Sequence, residues 1–221
     1  MVTKIDNQHL GLKVALRETC ISEAGIDARI VCETHGGLGR LGGLIYRHDW
    51  GMVLEKDHDR ASVLAQQRPT WRVYCADSDK VLADGLAAEV AFTILDCDPY
   101  GQAWRTLAGF FESKRTFAST MAVSVTDGVR QKMRMGGFDM AGWEAWQDRF
   151  GPNLWDVYLF CCRERLTSLV AGAGYRVAWW HGQYSRTGQQ TYFAAVLRRD
   201  DIVPHGADCN SPPASRIGDH A

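Results

Sequence analysis

Four apolar runs in the first half of the chain each end in an acid and then give way to a turn and a helical pattern. They are "ARIVCETHGGLGRLGG", "WGMVLEKDHDRASVLAQQRP", "WRVYCADSDKVLADGL" and "VAFTILDCDPYGQAWRTLAGFFES". A fifth, "TFASTMAVSVTDGVRQKMRMGG", follows them. Strand, turn, helix at this pace predicts right-handed βαβ units and so a parallel sheet. The runs are continuously apolar rather than alternating, which requires helices over both faces. The predicted strands end at Glu33, Glu55, Asp77, Asp96 to Asp98, and near Thr126-Asp127-Gly128.

A helix leads in over residues 1–26, with Leu10, Val14 and Leu16 apolar. Lys13 and Arg17, one turn apart, read as decoration of its surface. Beyond the βα units, "GWEAWQDRFGPNLWDVYLFCCRERLTSLVAGAG" predicts a short helical piece, a break at Gly151-Pro152 and a longer helix ending at Gly172 to Gly174. Cys161 and Cys162 sit in that helix as packing residues. "YRVAWWHGQYSRTGQQTYFAAVLRR" predicts two strands joined by a polar turn at Ser185 to Gly188, a hairpin rather than a crossover. The domain is expected to span residues 1–199, and the polar, Pro- and Gly-bearing segment 200–221 to be a disordered tail.

A length of 221 residues with 46% hydrophobic content suffices for one sizeable core. The formal charge of -1 excludes a protein that grips nucleic acid by bulk charge, so any cationic surface is local. The seven cysteines form no CxxC and lie mostly in apolar runs. With no signal-peptide pattern and no membrane-length apolar stretch, they point to a reducing cytoplasm. No Cys/His spacing predicts a metal site.

In an open α/β sheet, ligands bind outside the carboxyl ends of the strands. Gly36, Gly37 and Gly39, in "THGGLG", let the backbone approach a ligand. Glu55, one βα unit later, is placed to accept both hydroxyls of a ribose. Together they predict a nucleoside-type ligand, which leaves a dinucleotide or S-adenosylmethionine. The turn lacks G-x-G-x-x-G spacing and His35 occupies part of it. Glu33, just before the glycines, would repel a phosphate but suits the amino group of a methionine moiety. The terminal hairpin favours the same choice.

The series "IVCETHGGLG", "MVLEKD", "VYCADS", "ILDCDPYG" resembles the class I S-adenosylmethionine-dependent methyltransferases over roughly residues 8–198. The resemblance implies a Rossmann-like three-layer sandwich, with a seven-stranded, mostly parallel sheet and an antiparallel terminal hairpin. It implies S-adenosyl-L-methionine as cofactor. Glu33, Thr34, His35, Gly36, Gly37 and Gly39 match the cofactor loop. Glu55, with Lys56, matches the ribose-binding acid, Asp77 with Ser78 the residues beside adenine, and Asp96 the methionine end.

"DCDPYG" resembles the [DN]-P-P-[YF] motif of methyltransferases acting on nucleobase amino groups, and more closely the D-x-D-P-[FY]-G of the tRNA guanine-N2 dimethyltransferases. The chemistry accounts for the residue types. An exocyclic amine is a poor nucleophile because its lone pair is delocalised into the ring. Hydrogen bonds to Asp98 and the Pro99 carbonyl would stabilise the charge developing on nitrogen. Tyr100 would stack on the flipped base. Gly101 would leave room for it, and Thr126, Asp127 and Arg130 would line the target side. Arg130, Lys132 and Arg134 are candidates for phosphate contact. The tRNA enzymes carry a further C-terminal domain, for which a chain of this length is expected to be too short. The target could then be another RNA, DNA or a protein, with RNA expected ahead of DNA, and a protein partner could supply target recognition. A glutamine or lysine N-methyltransferase, a non-catalytic binding subunit and a nicotinamide enzyme stay as alternatives. Trp179, Trp180 and Tyr184 could stack a base or fill the core. Trp143, Trp146 and Trp155 could form a lid or a partner surface.

Overall fold

The computed structural model describes residues 9–99, 101–134 and 143–199. Tyr100 and the segment 200–221 lie outside them. The elements in chain order are α1 (Leu10–Ala24), β1 (Ile30–Glu33), α2 (Arg40–Ile45), β2 (Trp50–Glu55), α3 (His58–Gln67), β3 (Arg72–Cys75), α4 (Ser78–Ala83), β4 (Ile94–Cys97), α5 (Trp104–Glu112), β5 (Thr120–Asp127), α6 (Val129–Arg134), α7 (Glu144–Phe150), a 3-10 turn (Gly151–Trp155), α8 (Tyr158–Gly172), β6 (Tyr175–Tyr184) and β7 (Thr191–Arg199).

The seven strands form one sheet in the order β3-β2-β1-β4-β5-β7-β6. Strands β1 to β5 pair in parallel, and β7 runs antiparallel to both its neighbours. The sheet is Rossmann-like with an antiparallel terminal hairpin, as expected. Strand order reverses between β1 and β4, where Glu33 and Asp96 are register partners.

The period-two pleat sorts the strand residues onto two cores. Cys32, Leu54, Leu95, Cys97, Val123 and Val125 face the layer that holds Leu82 of α4, Leu107 of α5 and Leu166 of α8. Val31, Val53, Ile94 and Ala122 face the layer that holds Leu16 and Cys20 of α1, Leu41 of α2 and Leu64 of α3. At the carboxyl ends the same alternation carries polar groups: Glu33, Asp96 and Thr126 lie in step with the α1–α3 layer, and Asp127 with the α5–α8 layer.

Two boundaries differ from expectation. The glycine turn after β1 continues into the short α2, in which Gly42 permits a close approach. A Cβ there would sit 2.5 Å from the Glu33 carboxylate and 2.3 Å from the Arg68 guanidinium. Strand β3 stops at Cys75, and Asp77 instead caps α4, its side chain accepting from the Asp79 amide. Asp and Ser compete for backbone amides in this way, which starts helices and ends strands.

Candidate functional site

The site is built from the loops that leave β1, β2, β4 and β5. The loop after β1 is fixed from both sides. The Thr34 amide donates to the Asp96 carbonyl at 2.9 Å, and the Gly36 amide to the Leu54 carbonyl at 3.0 Å. Gly37 has φ 53° and Gly39 φ 73°, left-handed values that favour glycine. Glu55 organises this loop. One oxygen accepts from the Gly37 amide at 2.8 Å and the other from the Asp57 amide at 2.9 Å. Lys56 follows directly, and its carbonyl accepts from the Cys75 thiol. The Ser78 hydroxyl donates to the Thr34 carbonyl, so α4 is pinned under the same loop. The Thr34 hydroxyl pairs with His35 Nδ1 at 2.8 Å. Burial holds the His35 imidazole below its ordinary pKa, and so toward the neutral form.

The acids at the reversal point each meet a cation from a helix or loop of the α1–α3 layer. Asp96, 1% exposed, accepts from Arg17 Nε at 2.7 Å and Nη2 at 2.6 Å, and from the Tyr46 hydroxyl at 2.8 Å. Glu33 bonds to Arg68, which also donates to the Gly39 carbonyl at 3.2 Å and lies over the Trp71 ring. Burial pushes the Glu33 carboxyl up to about 7, against the pull of Arg68. Asp98 accepts from Lys13 Nζ through both oxygens, at 2.7 and 2.8 Å. Burial alone would raise this carboxyl, but Arg17 and Lys13 hold it below the usual carboxylate range. Asp98 is therefore an ionised acceptor at neutral pH.

Lys13 and Arg17, read as surface decoration, are instead buried, Arg17 completely. The buried stripe of α1 runs Lys13, Leu16, Arg17, Cys20, Ile21, Ala24. Its charged end lies over the carboxyl edge of the sheet, where acids replace apolar partners. The sequence also offered no reading of Tyr46 or Arg68. The missed signal was positional: both cations of α1 fall on its apolar stripe at i, i+4 spacing.

The structure brings together Glu33, the Thr34–Gly39 loop, Glu55, Ser78, Asp96, Asp98 and Thr126. Gly101 joins them through the loop after β4, where its carbonyl accepts from the Gly128 amide at 2.8 Å. Lys132 Nζ lies 3.5 Å from where a Gly101 Cβ would be. Asp77 borders the site as the cap of α4.

Asp127 and Arg130 are not brought to it. Asp127 is fully buried on the opposite face, accepting from Trp104 Nε1, the Tyr158 hydroxyl and the Val129 amide. Burial pushes its carboxyl up to about 6. Arg130 lies between the rings of Trp155 and Tyr184, 3.8 and 3.7 Å from their centroids, and donates to the Gly188 carbonyl at 2.8 Å. Trp180 stacks on Phe193 and Trp143 on Tyr158, so both are packing residues. Cys161 and Cys162 are buried in α8. Among the described residues, no three His, Cys, Asp or Glu side chains converge as a metal site, and no helix is long and apolar enough to cross a membrane.

No protein-family model matches the sequence, and no curated protein is significantly similar to it. Solved structures are similar in fold. The N-methyltransferase NodS from Bradyrhizobium japonicum, solved with S-adenosyl-L-homocysteine, matches at TM-score 0.58 and 8% identity, over 89% of this chain and 91% of its own. TYW2 from M. jannaschii, solved with AdoMet, matches at 0.53 and 12%, over 90% and 80%. The [4+2]-cyclase SpnF matches at 0.51 and 11%, over 84% and 81%. The chain has the Rossmann-like methyltransferase fold.

Proposed function

We propose that the chain is an S-adenosylmethionine-dependent N-methyltransferase acting on an exocyclic amino group of a nucleobase, in RNA ahead of DNA. The observation that carries this reading is Asp98. It is an ionised acceptor followed by Pro99, at the end of β4, beside a glycine loop that Glu55 organises. Two of the fold neighbours were solved with S-adenosylmethionine or its demethylated product.

The residues present fit such a cofactor at its nucleoside end. Each Glu55 oxygen takes one backbone N–H and keeps a lone pair for a ribose hydroxyl. Asp77 and Ser78 border the adenine side, with Lys56 at the rim. At the methionine end Glu33 and Asp96 are neutralised by Arg68 and Arg17. They hold the frame on which Thr34, His35 and the Gly36–Gly37–Gly39 backbone are presented. The cofactor would supply an electrophilic methyl group. Asp98 and the Pro99 carbonyl would accept the target's N–H groups and stabilise the positive charge developing on nitrogen. Tyr100 would stack on the base, Gly101 and Thr126 would border it, and Lys132 would stand by for phosphate. Asp127 and Arg130 would act indirectly, by setting the loop after β5.

The test is label transfer from methyl-tritiated S-adenosylmethionine to total RNA, genomic DNA and a protein extract, with Asp98→Ala as control. Label in a nucleic acid, lost in the variant, supports the reading. Label only in protein overturns the nucleobase assignment and keeps the transfer. One observation favours a second reading as a non-catalytic binding subunit: Lys13 already holds both Asp98 oxygens. No label anywhere, with no heat of S-adenosylhomocysteine binding, would select it.

A further inference from the structure

Helix α1 carries two cations onto two acids but holds them differently. Arg17 makes three hydrogen bonds: two to Asp96, and one from Nη1 to the Lys13 carbonyl at 3.2 Å. Among the described residues Lys13 has one side-chain partner, Asp98, whose side chain keeps 19% exposure.

The turn that brings Lys13 there packs through half-buried Leu10, Leu12 and Val14 and through the His9 ring beside Tyr192, but its backbone is weakly capped. His9 closes it with φ 78°, in the left-handed region that few non-glycine residues adopt. Its side chain caps no amide, and no acid stands in the first turn to offset the helix dipole. Gly11 lies inside the turn with a negative φ, and a Cβ there would meet nothing within 4 Å. Neither packing nor geometry requires a glycine, and its backbone freedom favours opening. From Leu16 onward the helix is fastened by Arg17, Cys20, Ile21 and Ala24. These features favour opening of the first turn ahead of the rest of α1. Such opening would free Lys13 from Asp98 and leave Arg17 on Asp96.

We propose that this turn is a gate: Lys13 seats the chain's own ammonium on Asp98, and a target amino group enters by displacing it. The proposal rests on the reading of Asp98 as the acceptor of the target amine. Closed, the gate keeps Asp98 ionised and paired; open, it returns a strongly hydrated ammonium to water while the target takes over the carboxylate.

Two measurements on the full chain test it. The first is amide hydrogen exchange. Amides 13–16 bond to first-turn carbonyls, and they are expected to exchange at least about tenfold faster than amides 20–24. Gly11→Ala is expected to slow amides 13–16 about fivefold and leave 20–24 unchanged. Uniform protection along α1, or no response to Gly11→Ala, overturns the gate.

The second is thermal unfolding of Lys13→Ala with n-butylammonium, which replaces the missing side chain. The amine is expected to raise the unfolding temperature of Lys13→Ala, to raise that of the wild type much less because it must displace the tethered Lys13, and to have no effect on Lys13→Ala with Asp98→Asn. An unchanged unfolding temperature for Lys13→Ala would mean the seat takes no free amine, and the proposal falls. Neither readout needs the cofactor, so a failure of S-adenosylhomocysteine binding would overturn the methyltransferase reading separately.

Discussion

Arg17 lies in the floor of the site with no solvent exposure, held to Asp96 by a two-pronged contact that Tyr46 completes. Removing one partner of such a pair leaves a buried charge with too few donors. Arg17→Met is expected to cost about 3–5 kcal/mol in urea unfolding. Arg17→Met with Asp96→Asn is expected to recover most of that, because the stranded charge goes with its partner. Glu55→Gln probes the loop. A carboxamide has one acceptor oxygen for the two amides, of Gly37 and Asp57, that Glu55 now satisfies. S-adenosylhomocysteine binding is expected to weaken at least about tenfold by calorimetry, a loss of about 1.4 kcal/mol; an unchanged dissociation constant would remove Glu55 from the site. The acids of this site were legible because each ends an apolar run. Their cations were not, since Lys13 and Arg17 find partners 85 and 79 residues further along the chain. A one-dimensional reading sees two polar residues on a helix. It does not see that the stripe they share with Cys20 and Ala24 leads onto a row of carboxylates.

At the scale of elements, the parallel strands and the terminal hairpin followed from the run-and-turn rhythm. The short α2 did not, because "RLGGLI" carries two glycines that weigh against a helix. Tertiary contact decides there: Gly42 is small so that Glu33 and Arg68 can meet against the helix. The hairpin has its own fastening. Arg130, at the start of α6, joins the 3-10 turn to the β6–β7 tip through Trp155, Tyr184 and the Gly188 carbonyl. A planar guanidinium stacks between two rings in a way an ammonium does not. Arg130→Lys is expected to destabilise by about 1–2 kcal/mol. It should also speed amide exchange at residues 185–190 relative to β5. Equal exchange in the two proteins would show that the tip holds itself.

Across the whole molecule, two carboxyls on opposite faces of one sheet share an electrostatic sign. Glu33 is held at about 7 and Asp127 at about 6, both above their ordinary values and both because of burial first. A carboxyl raised in the folded state binds its proton more tightly there than in the unfolded chain. Its contribution to stability is complete below the unfolded value, near about 4, and is lost as pH rises through the folded one. Asp98 has the opposite sign, since it is held low, but its contribution is lost only under more acidic conditions. Stability is therefore expected to fall between about pH 4.5 and 7.5. The Asp127 part amounts to about 3 kcal/mol, from a rise of about two pKa units. Among the described residues Asp127 meets three hydrogen-bond donors and no directly bonded cation, so its ionised form is the costly one. Urea midpoints for the wild type and Asp127→Asn across that range check the sign. The variant's lost carboxylate bond to the Val129 amide is a constant offset, whereas the slope should flatten. A wild type that gains stability over the same range would mean both carboxyls are ionised well below these values, and that Arg68 outweighs burial at Glu33.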